Sequence, residues 1–375
     1  MENEIKKRVG LVMPLGQQRG GAEALLMNLL RHRSDQHHFV CAFLEDGPLV
    51  SKVKSIGYSA RVFPTTRLTD PFNYLATIKN LSRWIAEEKL ATVFSWMPKA
   101  HLYAGPAAYL RGARAIWFHH GITWGTRIDR IITRIPTAGI LCCSNAGKEA
   151  QDKLKPARRT EVCYPGVTFP SDTPMDKAEA RSQLGLATDI PIVGMVARWE
   201  RWKGAHIFIQ AADRLAFTRP SAHFFIVGGP HPRDLAYAEE LRGLAAHSPL
   251  GDRLLLVGQL PPEQVPVWQA AADVIVHPVT SEEPFGMAVV EAMGMGKVVI
   301  ASNAGGPAEI IHSGEDGLLV PRRDSAALAV AIDEMLDSPV RRNAIQERAF
   351  LRGRSFSVSV FVHRVDELIT LLTTT

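Results

Sequence analysis

Cysteine is scarce in this sequence, and long hydrophobic runs are missing from it. The four cysteines, Cys41, Cys142, Cys143 and Cys163, show neither a disulfide framework nor the paired spacing of a zinc site. Each lies in an apolar, strand-like run, so we expect all four to be core thiols. No apolar run approaches the ~20 residues of a membrane-spanning helix, and the first residues lack the pattern of a signal peptide. The sequence therefore predicts a cytoplasmic protein without disulfides.

Several motifs of metal, nucleotide and nucleic-acid chemistry are also missing. The chain contains no Asp-x-Asp and no cluster of His, Cys and Asp with metal-ligand spacing. It has no G-x-S-x-G, no Walker loop and no aromatic and basic surface typical of RNA-binding modules. We therefore expect a site without a metal, no cofactor and no nucleic-acid partner.

Positive charge is concentrated in the N-terminal half. Residues 1–167 contain 24 Lys and Arg against 13 Asp and Glu, a net charge of +11, whereas the remaining residues carry −6. Such an asymmetry indicates an anionic partner for the first half.

Short apolar strands alternate with helix-patterned segments along the whole chain. In the first half the predicted strands are RVGLVMPL, HFVCAFLE, ATVFSW, RAIWFHH and GILCCS. After a break at CYPGVTFPSDTP, the pattern restarts with IPIVGMVA, AHFFIVGG, RLLLVGQ, DVIVHPV, KVVIAS and GLLVP. This alternation predicts an α/β protein with two Rossmann-like domains. We expect their parallel sheets to face each other across a cleft, which is then the default ligand site.

Two acids bracket a predicted strand-to-helix turn in the segment EPFGMAVVE. With Gly286 at the start of the helix, the amides of Gly286, Met287 and Ala288 would form an anion site that suits a phosphate. Glu283 before the turn and Glu291 inside the helix could accept hydrogen bonds from vicinal hydroxyls. The segment therefore predicts a bound phosphorylated sugar. The alternative is that Glu291 is a buried acid satisfied by the protein's own amides.

Two further segments follow predicted strands and favour a phosphate. In GQQRGGAEALL, Gly20 and Gly21 can bring backbone amides close to a ligand, although such a pair can also be purely structural. In VARWERWKGAH, Arg198 and Lys203 could both point at a diphosphate, and the alternative is two solvated surface cations.

The segment AIWFHHGITWG places two histidines at the end of a strand. Adjacent strand residues face opposite ways, so at most one of His119 and His120 should point to the ligand site. We favour His120 as a hydrogen-bonding or acid-base group. A core or surface role for the pair is the alternative.

Together these segments resemble the retaining glycosyltransferases of family 4, which have the GT-B fold. The resemblance rests on RGGAE, FHHG, CSNAGKEA, YPGV, ARWERWKG, VGGP, VGQLP, EPFGMAVVE and the terminal RSFSVSVFVHRVDELITLL. It implies an acceptor-binding domain over 1–168 and a nucleotide-sugar-binding domain over 169–352. It also implies a C-terminal helix within 353–375 that crosses back onto the first domain.

The resemblance also implies a role for each matching residue of the second domain. Arg198 and Lys203 match the basic pair that holds the donor diphosphate. Glu291 matches the acid that binds the nucleotide ribose, and Glu283 the acid that contacts the transferred sugar. The backbone of Phe285, Gly286 and Met287 would lie against the sugar and the phosphate.

In the first domain, Gly20 and Gly21 match the loop that closes over the phosphates. The family histidine falls on His119 or His120, and the doublet leaves both open.

The function implied is transfer of a sugar, with retention of configuration and without a metal, from a nucleoside diphosphate sugar to a glycan or lipid-linked acceptor. We expect it to serve bacterial cell-surface polysaccharide, lipopolysaccharide or glycolipid biosynthesis. In this family the departing phosphate is often proposed to deprotonate the acceptor, so Glu283 is not assigned as a nucleophile. The alternatives are a nucleotide-sugar epimerase or another GT-B enzyme, or a nucleotide-sugar-binding protein without catalysis.

A basic amphipathic segment, TRIDRIITRIPTAG, indicates a membrane surface as a further partner. Arg127, Arg130 and Arg134 would share one helical face, with isoleucines on the other. We expect peripheral association with the inner face of the cell membrane. The alternative is a surface helix whose isoleucines lie in the domain core.

Overall fold

The computed structural model describes residues 6–17, 20–34, 36–66 and 70–374. They form two α/β units: unit 1 comprises residues 1–168 and 357–375, and unit 2 comprises residues 169–356. Each unit has a parallel sheet with helices between consecutive strands. The prediction of two Rossmann-like domains is therefore confirmed.

The described residues of unit 1 form a parallel sheet of seven strands in the order β3-β2-β1-β4-β5-β6-β7. The strands are β1 (Lys7–Met13), β2 (His37–Phe43), β3 (Ala60–Val62), β4 (Thr92–Trp96), β5 (Arg114–His119), β6 (Gly139–Cys142) and β7 (Thr160–Val162). The hydrophobic pattern misses β3 and β7. Each is three residues long and lies at a sheet edge, so neither contains an apolar run long enough to be recognised.

Helices cover this sheet, and their apolar sides form its core. They are α1 (Gly21–His32), α2 (Pro48–Ser55), α3 (Pro71–Glu87), α4 (Pro98–Tyr109), α5 (Arg127–Thr133), α6 (Asn145–Asp152) and the C-terminal α15 (Val358–Thr374). Val12, Val93 and Trp117 of the strands pack in one cluster with Trp84 of α3 and Tyr103 of α4. All four cysteines are buried thiols that form no disulfide among the described residues, as predicted.

The C-terminal helix α15 packs against unit 1. A Cβ added to Gly139 would lie 2.6 Å from a methyl of Leu372, and one added to Gly166 would lie 2.5 Å from Cβ of Phe361. Positions 139 and 166 of unit 1 therefore require glycine, because a side chain there would collide with α15. Residues 357–375 therefore belong to unit 1 although they follow unit 2 in the chain.

The described residues of unit 2 form a parallel sheet of six strands in the order β10-β9-β8-β11-β12-β13. The strands are β8 (Ile192–Val196), β9 (His223–Val227), β10 (Leu254–Gly258), β11 (Val274–His277), β12 (Val298–Ser302) and β13 (Leu318–Val320), and all were predicted. The chain order reverses at β8, which lies between β9 and β11. The carboxyl ends of β8 and β11 are thus the topological switch point, where α/β sheets bind ligands.

Helices also pack on the sheet of unit 2. They are α7 (Lys177–Gln183), α8 (Ala205–Leu215), α9 (Leu235–Ala246), α10 (Val265–Ala271), α11 (Met287–Gly294), α12 (Pro307–Ile310), α13 (Ser325–Asp337) and α14 (Pro339–Arg354). The helix predicted after the acid turn is α11, which begins at Met287 as expected.

The end of unit 2 differs from the expected boundary at residue 352. Helix α14 continues to Arg354, and the division between units follows Phe356. A Cβ added to Gly353 would lie only 2.2 Å from the backbone nitrogen of Gly294. This close contact between α14 and α11 keeps residues 353–356 in unit 2.

Candidate functional site

The candidate donor site lies at the switch point of unit 2. Arg198 follows β8 by two residues, and Lys203 ends the short 3-10 turn Arg201–Lys203. Glu283 follows β11, which pairs directly with β8. The sheet therefore brings Lys203 and Glu283 into contact from segments that are 80 residues apart, and Arg198 lies in the same loop as Lys203.

Glu283 is buried and bound by two donors on one oxygen. The Lys203 ammonium and the Nε2 of His277, the latter at 3.1 Å, both contact its Oε2. Burial alone would raise the pKa of the Glu283 carboxyl, but the charge of Lys203 and the hydrogen bond from His277 lower it to about 2. The carboxylate is therefore ionised at neutral pH, and its Oε1 has no donor among the described residues.

Arg198 is exposed and forms an ion pair with a second acid. Its guanidinium lies 2.9 Å from Oε2 of Glu200, and Nδ1 of His231 lies 3.8 Å from the other oxygen of Glu200. Neither donor-site cation is an isolated solvated charge, because each is held beside a mostly buried glutamate.

The start of α11 offers free amides. Gly286 has φ 104° and ψ 55°, a left-handed conformation that favours glycine. Val289 and Val290 donate to its carbonyl. In the described part of the chain, the N–H groups of Gly286, Met287 and Ala288 have no acceptor. This geometry suits an anion, and the binding of a phosphate there stays a prediction.

A pair of glycines supports the turn that carries Glu283 and Phe285. The N–H of Gly306 donates to the carbonyl of Glu283 at 2.8 Å. A Cβ would lie 2.2 Å from the Glu283 oxygen if added to Gly305, and 2.0 Å from the Phe285 oxygen if added to Gly306. Gly305 and Gly306 of GGPAEII are thus needed for close backbone packing against the turn that carries Glu283 and Phe285.

Glu291 lies on α11 and is partly buried. Burial raises the pKa of its carboxyl. No described group of the protein donates a hydrogen bond to this carboxylate. The binding of a ribose by Glu291 stays a prediction.

The two glycines of the first unit lie at the start of α1. Gly20 is the N-cap residue in an extended conformation, and Gly21 begins the helix. Residues 18 and 19 of the same glycine-rich loop lie outside the described residues. The proposed closing of this loop over phosphates stays a prediction.

His119 and His120 pack on different aromatic side chains at the end of β5. His119 lies beside Trp117 at 5.1 Å between ring centroids, and His120 lies 4.0 Å from Phe118 and 4.7 Å from Trp96. This agrees with opposite orientations of adjacent strand residues.

Burial makes both histidines poor bases. It lowers the pKa of His119 to about 4, although Asp129 opposes the shift, and with help from His119 it lowers the pKa of His120 to about 3. Both rings are therefore neutral at pH 7 and suited to hydrogen bonding. Nδ1 of His119 and Nε2 of His120 have no partner within the described structure. Which ring contacts a ligand stays a prediction.

The helix in the basic segment TRIDRIITRIPTAG does not place its isoleucines on one face as expected. Helix α5 spans Arg127–Thr133, and Ile132 is buried in the core. Ile128 and Ile131, however, are 43% and 54% exposed, and Trp124 before the helix is 74% exposed. The isoleucines therefore do not share one buried face.

Sequence reasoning missed three residues around the candidate site. His277 contacts Glu283, Glu200 contacts Arg198, and His231 lies beside Glu200. A histidine at the end of an otherwise apolar strand, six residues before an acid, was a usable signal for His277. Glu200 lies between two recognised cations, and His231 follows the VGGP segment. The contacts of His277 and Glu200 are local in sequence, whereas that of His231 with Glu200 joins segments 31 residues apart.

Within the described chain, no helix has the length and hydrophobicity needed to cross a bilayer.

Comparison with known proteins identifies two matching segments. Residues 19–169 match the family described as Glycosyltransferase Family 4, and residues 176–352 match the family described as Glycosyl transferases group 1. The chain is similar to the D-inositol 3-phosphate glycosyltransferase of Acidothermus cellulolyticus, with 34% identity over 192 residues. That match covers 50% of this chain and 43% of the relative, so the matched part is less than half of the relative's length.

Solved structures share the fold over nearly the whole chain. Anabaena HepE in complex with UDP-glucose has a TM-score of 0.80 and 23% identity, covering 97% of this chain and 99% of that one. A glycosyltransferase from Rickettsia africae has a TM-score of 0.84 and 20% identity, covering 98% and 99%. At these identities the likeness shows the fold alone, which is the GT-B fold expected from the sequence. The two family matches, which together span most of the sequence, show that this chain belongs to the family 4 glycosyltransferases.

Proposed function

We propose that this chain transfers a sugar from a nucleoside diphosphate sugar to a glycan or lipid-linked acceptor, with retention of anomeric configuration. The observation that carries the proposal is the grouping of Arg198, Lys203 and the free amides of α11 at adjacent strand ends of unit 2. Cations and N–H donors suit a diphosphate. Glu291, which lacks a protein donor, suits the ribose hydroxyls. The HepE structure, which contains UDP-glucose, supports a donor of this class.

In the proposed reaction the bond between the sugar C1 and the diphosphate oxygen breaks, and the nucleoside diphosphate leaves with the electron pair. Lys203, Arg198 and the amides of Gly286, Met287 and Ala288 stabilise the charge that develops on this leaving group. These groups supply positive charge and N–H dipoles from the protein itself, so we propose a reaction that does not depend on a metal.

The acceptor hydroxyl forms the new bond to C1 on the face from which the diphosphate departs, and its proton passes to a phosphate oxygen. Configuration is then retained without a protein nucleophile. Glu283 accepts a hydrogen bond from the transferred sugar through its free Oε1, because Lys203 and His277 occupy Oε2. An ionised carboxylate with a pKa of about 2 suits this role and not that of a general acid.

An acceptor-dependent assay tests this proposal. The protein is incubated with UDP-, GDP-, ADP- and dTDP-glucose, with and without acceptors that include lipid-linked glycans. D-inositol 3-phosphate is added to the acceptor panel because the curated relative is named for it. We expect release of one nucleoside diphosphate only when an acceptor is present, and NMR of the product should show the anomeric configuration of the donor.

The alternatives predict other outcomes of the same assay. A nucleotide-sugar epimerase would change the sugar without an acceptor. A binding protein without catalysis would bind a nucleotide sugar and release nothing. Either result, or a product of inverted configuration, would contradict the proposal.

We further propose that the α5 surface, formed by Trp124, Arg127, Ile128, Arg130 and Ile131, associates with an anionic membrane. Single exposed apolar residues are common, but here three lie within eight residues and alternate with arginines. Each basic side chain near an anionic bilayer contributes about 1 kcal/mol of attraction. This would place the enzyme at the inner face of the cell membrane, where a lipid-linked acceptor for surface polysaccharide, lipopolysaccharide or glycolipid synthesis can be reached.

Vesicle co-sedimentation tests the α5 surface. We expect the protein to bind vesicles that contain phosphatidylglycerol, and an Ile128→Ser, Ile131→Ser double variant to bind at least about tenfold more weakly, because its apolar contribution is lost. Phe217→Ser is the matched control, since Phe217 is 85% exposed in unit 2. Equal binding by the double variant and this control would contradict the proposal.

A further inference from the structure

Each of the two donor-site cations is part of a group of three ionisable side chains. Lys203 contacts Glu283, which also contacts His277. Arg198 contacts Glu200, which also lies near His231. In both groups the carboxylate lies between a cation and a histidine. The inference drawn from them rests on the proposed function, since it concerns the diphosphate that these cations would bind.

In the first group the carboxylate of Glu283 is enclosed by the protein. It therefore stays out of water even when Lys203 turns to another anion. Glu283 is 6% exposed and His277 is 3% exposed. His277 and Lys203 share one oxygen of Glu283, so a weaker contact with Lys203 leaves His277 as the remaining donor. The charged or ionisable side chains that lower the pKa of Glu283 are Lys203 and His277.

In the second group the histidine is positioned to take a proton. Nδ1 of His231 accepts the backbone N–H of Arg233 at 3.3 Å. Protonation would exchange that long hydrogen bond for an ion pair with Glu200, now 3.8 Å away.

Other charges near His231 are already engaged. The side chain of Asp234 accepts the N–H of Arg201, and the Arg201 guanidinium pairs with Glu240. These groups therefore do not compete with Glu200 for a proton on His231.

A diphosphate that arrives between the cations changes the balance of charge in both groups. It attracts Lys203 and Arg198 and adds negative charge. The two mostly buried carboxylates, Glu283 and Glu200, then have less positive charge beside them. A buried carboxylate without a partner is costly, and a histidine beside a carboxylate and a further anion favours its protonated form.

We propose that binding of the donor diphosphate is coupled to proton uptake by His277 and His231. The two histidines act as positioning residues: they hold Glu283 and Glu200 in place while Lys203 and Arg198 turn to the phosphates. Glu283 then keeps the orientation in which its Oε1 faces the transferred sugar.

Calorimetry in buffers of different ionisation enthalpy measures this coupling directly. The ligand is the nucleoside diphosphate, among UDP, GDP, ADP and dTDP, that raises the melting temperature most. Near pH 7.5 its terminal phosphate is almost fully ionised, since the second pKa of a phosphate is about 6. We expect wild type to take up roughly 0.3 to 1 proton per ligand bound.

Asparagine variants assign the proton to the two histidines. A His231→Asn, His277→Asn double variant should lose more than half of the uptake while it still binds the ligand. His247→Asn is the matched control, because His247 is exposed on unit 2 and contacts only a backbone carbonyl. Its uptake should equal that of wild type.

The pH dependence of affinity provides a test that needs no variant. Proton uptake means that affinity increases as pH falls, here by roughly twofold to tenfold per pH unit between about pH 8.5 and 7. Binding with no proton uptake, or with uptake unchanged in the double variant, would overturn the inference and leave the proposed function intact. If none of the four nucleoside diphosphates binds, both the proposed function and this inference fail.

Discussion

The buried, ionised carboxylate of Glu283 contributes to the stability of unit 2. Its pKa is lowered to about 2 in the folded protein, whereas an unfolded glutamate titrates near its ordinary pKa of 4.5. A carboxyl whose folded pKa is depressed stabilises the fold above the unfolded pKa, and this stabilisation is lost as pH falls towards the folded pKa.

We therefore expect unit 2 of wild type to lose on the order of 2 kcal/mol of unfolding free energy, through Glu283 alone, between about pH 6 and 3. A Glu283→Gln variant should lack this contribution. Urea unfolding at several pH values measures the difference. Glu239→Gln, an exposed helix position, is the control and should follow wild type. Parallel pH profiles for wild type and Glu283→Gln would contradict the assigned charge state.

The residues of the site differ in how far sequence could predict them. Arg198, Lys203, Glu283 and Glu291 lie in segments whose type and spacing indicate a phosphate and a sugar. His277 and Glu200 were missed although they lie six residues from Glu283 and two from Arg198, since neither belongs to a recognised motif. The contact between Lys203 and Glu283 arises only because β8 and β11 are neighbours in the sheet. Charge compensation inside a site is a property of the fold and not of a motif.

The turn between β11 and α11 depends on close backbone packing. A Cβ at position 306 would lie 2.0 Å from a backbone oxygen, which no side-chain movement can relieve. We expect Gly306→Ala to displace the turn, to cost roughly 1–3 kcal/mol of unfolding free energy and to weaken nucleoside diphosphate binding.

Gly243→Ala is the matched control for that substitution. Gly243 lies in α9, and a Cβ there would meet nothing within 4 Å. Alanine should raise the unfolding free energy by about 0.5–1 kcal/mol, because it is the better helix former, and leave binding unchanged. Thermal unfolding and ligand titration of both variants check the pair, and equal effects would contradict the packing argument.

Hydrophobic periodicity predicted the elements that have long apolar runs and missed those that do not. All six strands of unit 2 and five strands of unit 1 were recognised. Strands β3 and β7 are edge strands of three residues, for which tertiary pairing decides and local pattern does not. The same limit explains α5, whose isoleucines are divided between core and surface.

Unit 1 is completed by a helix from the far end of the chain. Asp366 of α15 accepts hydrogen bonds from Oγ of Ser34 at 2.6 Å and from Nδ1 of His37 at 2.7 Å, and all three residues are buried. The terminal sequence indicates an amphipathic helix, but these partners lie more than 300 residues away and no local pattern predicts them.

We expect Asp366→Ala to cost on the order of 3 kcal/mol of unfolding free energy, because it leaves two buried donors unpaired. Hydrogen exchange should show the loss in α15 and in the ends of α1 and β2. The neighbouring Glu367→Gln is the control, since Glu367 is exposed and pairs only on the surface. If both variants are equally stable, the Asp366 contacts are not what holds α15.

The central claim is that Arg198, Lys203 and the amides of α11 bind the diphosphate of the donor. Titration calorimetry with the nucleoside diphosphate that stabilises the protein most tests it directly. We expect Arg198→Gln and Lys203→Gln each to weaken binding by roughly tenfold to a hundredfold, as for the loss of a charge-assisted contact. Arg201→Gln, which removes an exposed cation paired with Glu240 from the same turn, should bind like wild type. Wild-type affinity in the Arg198 and Lys203 variants would contradict the account.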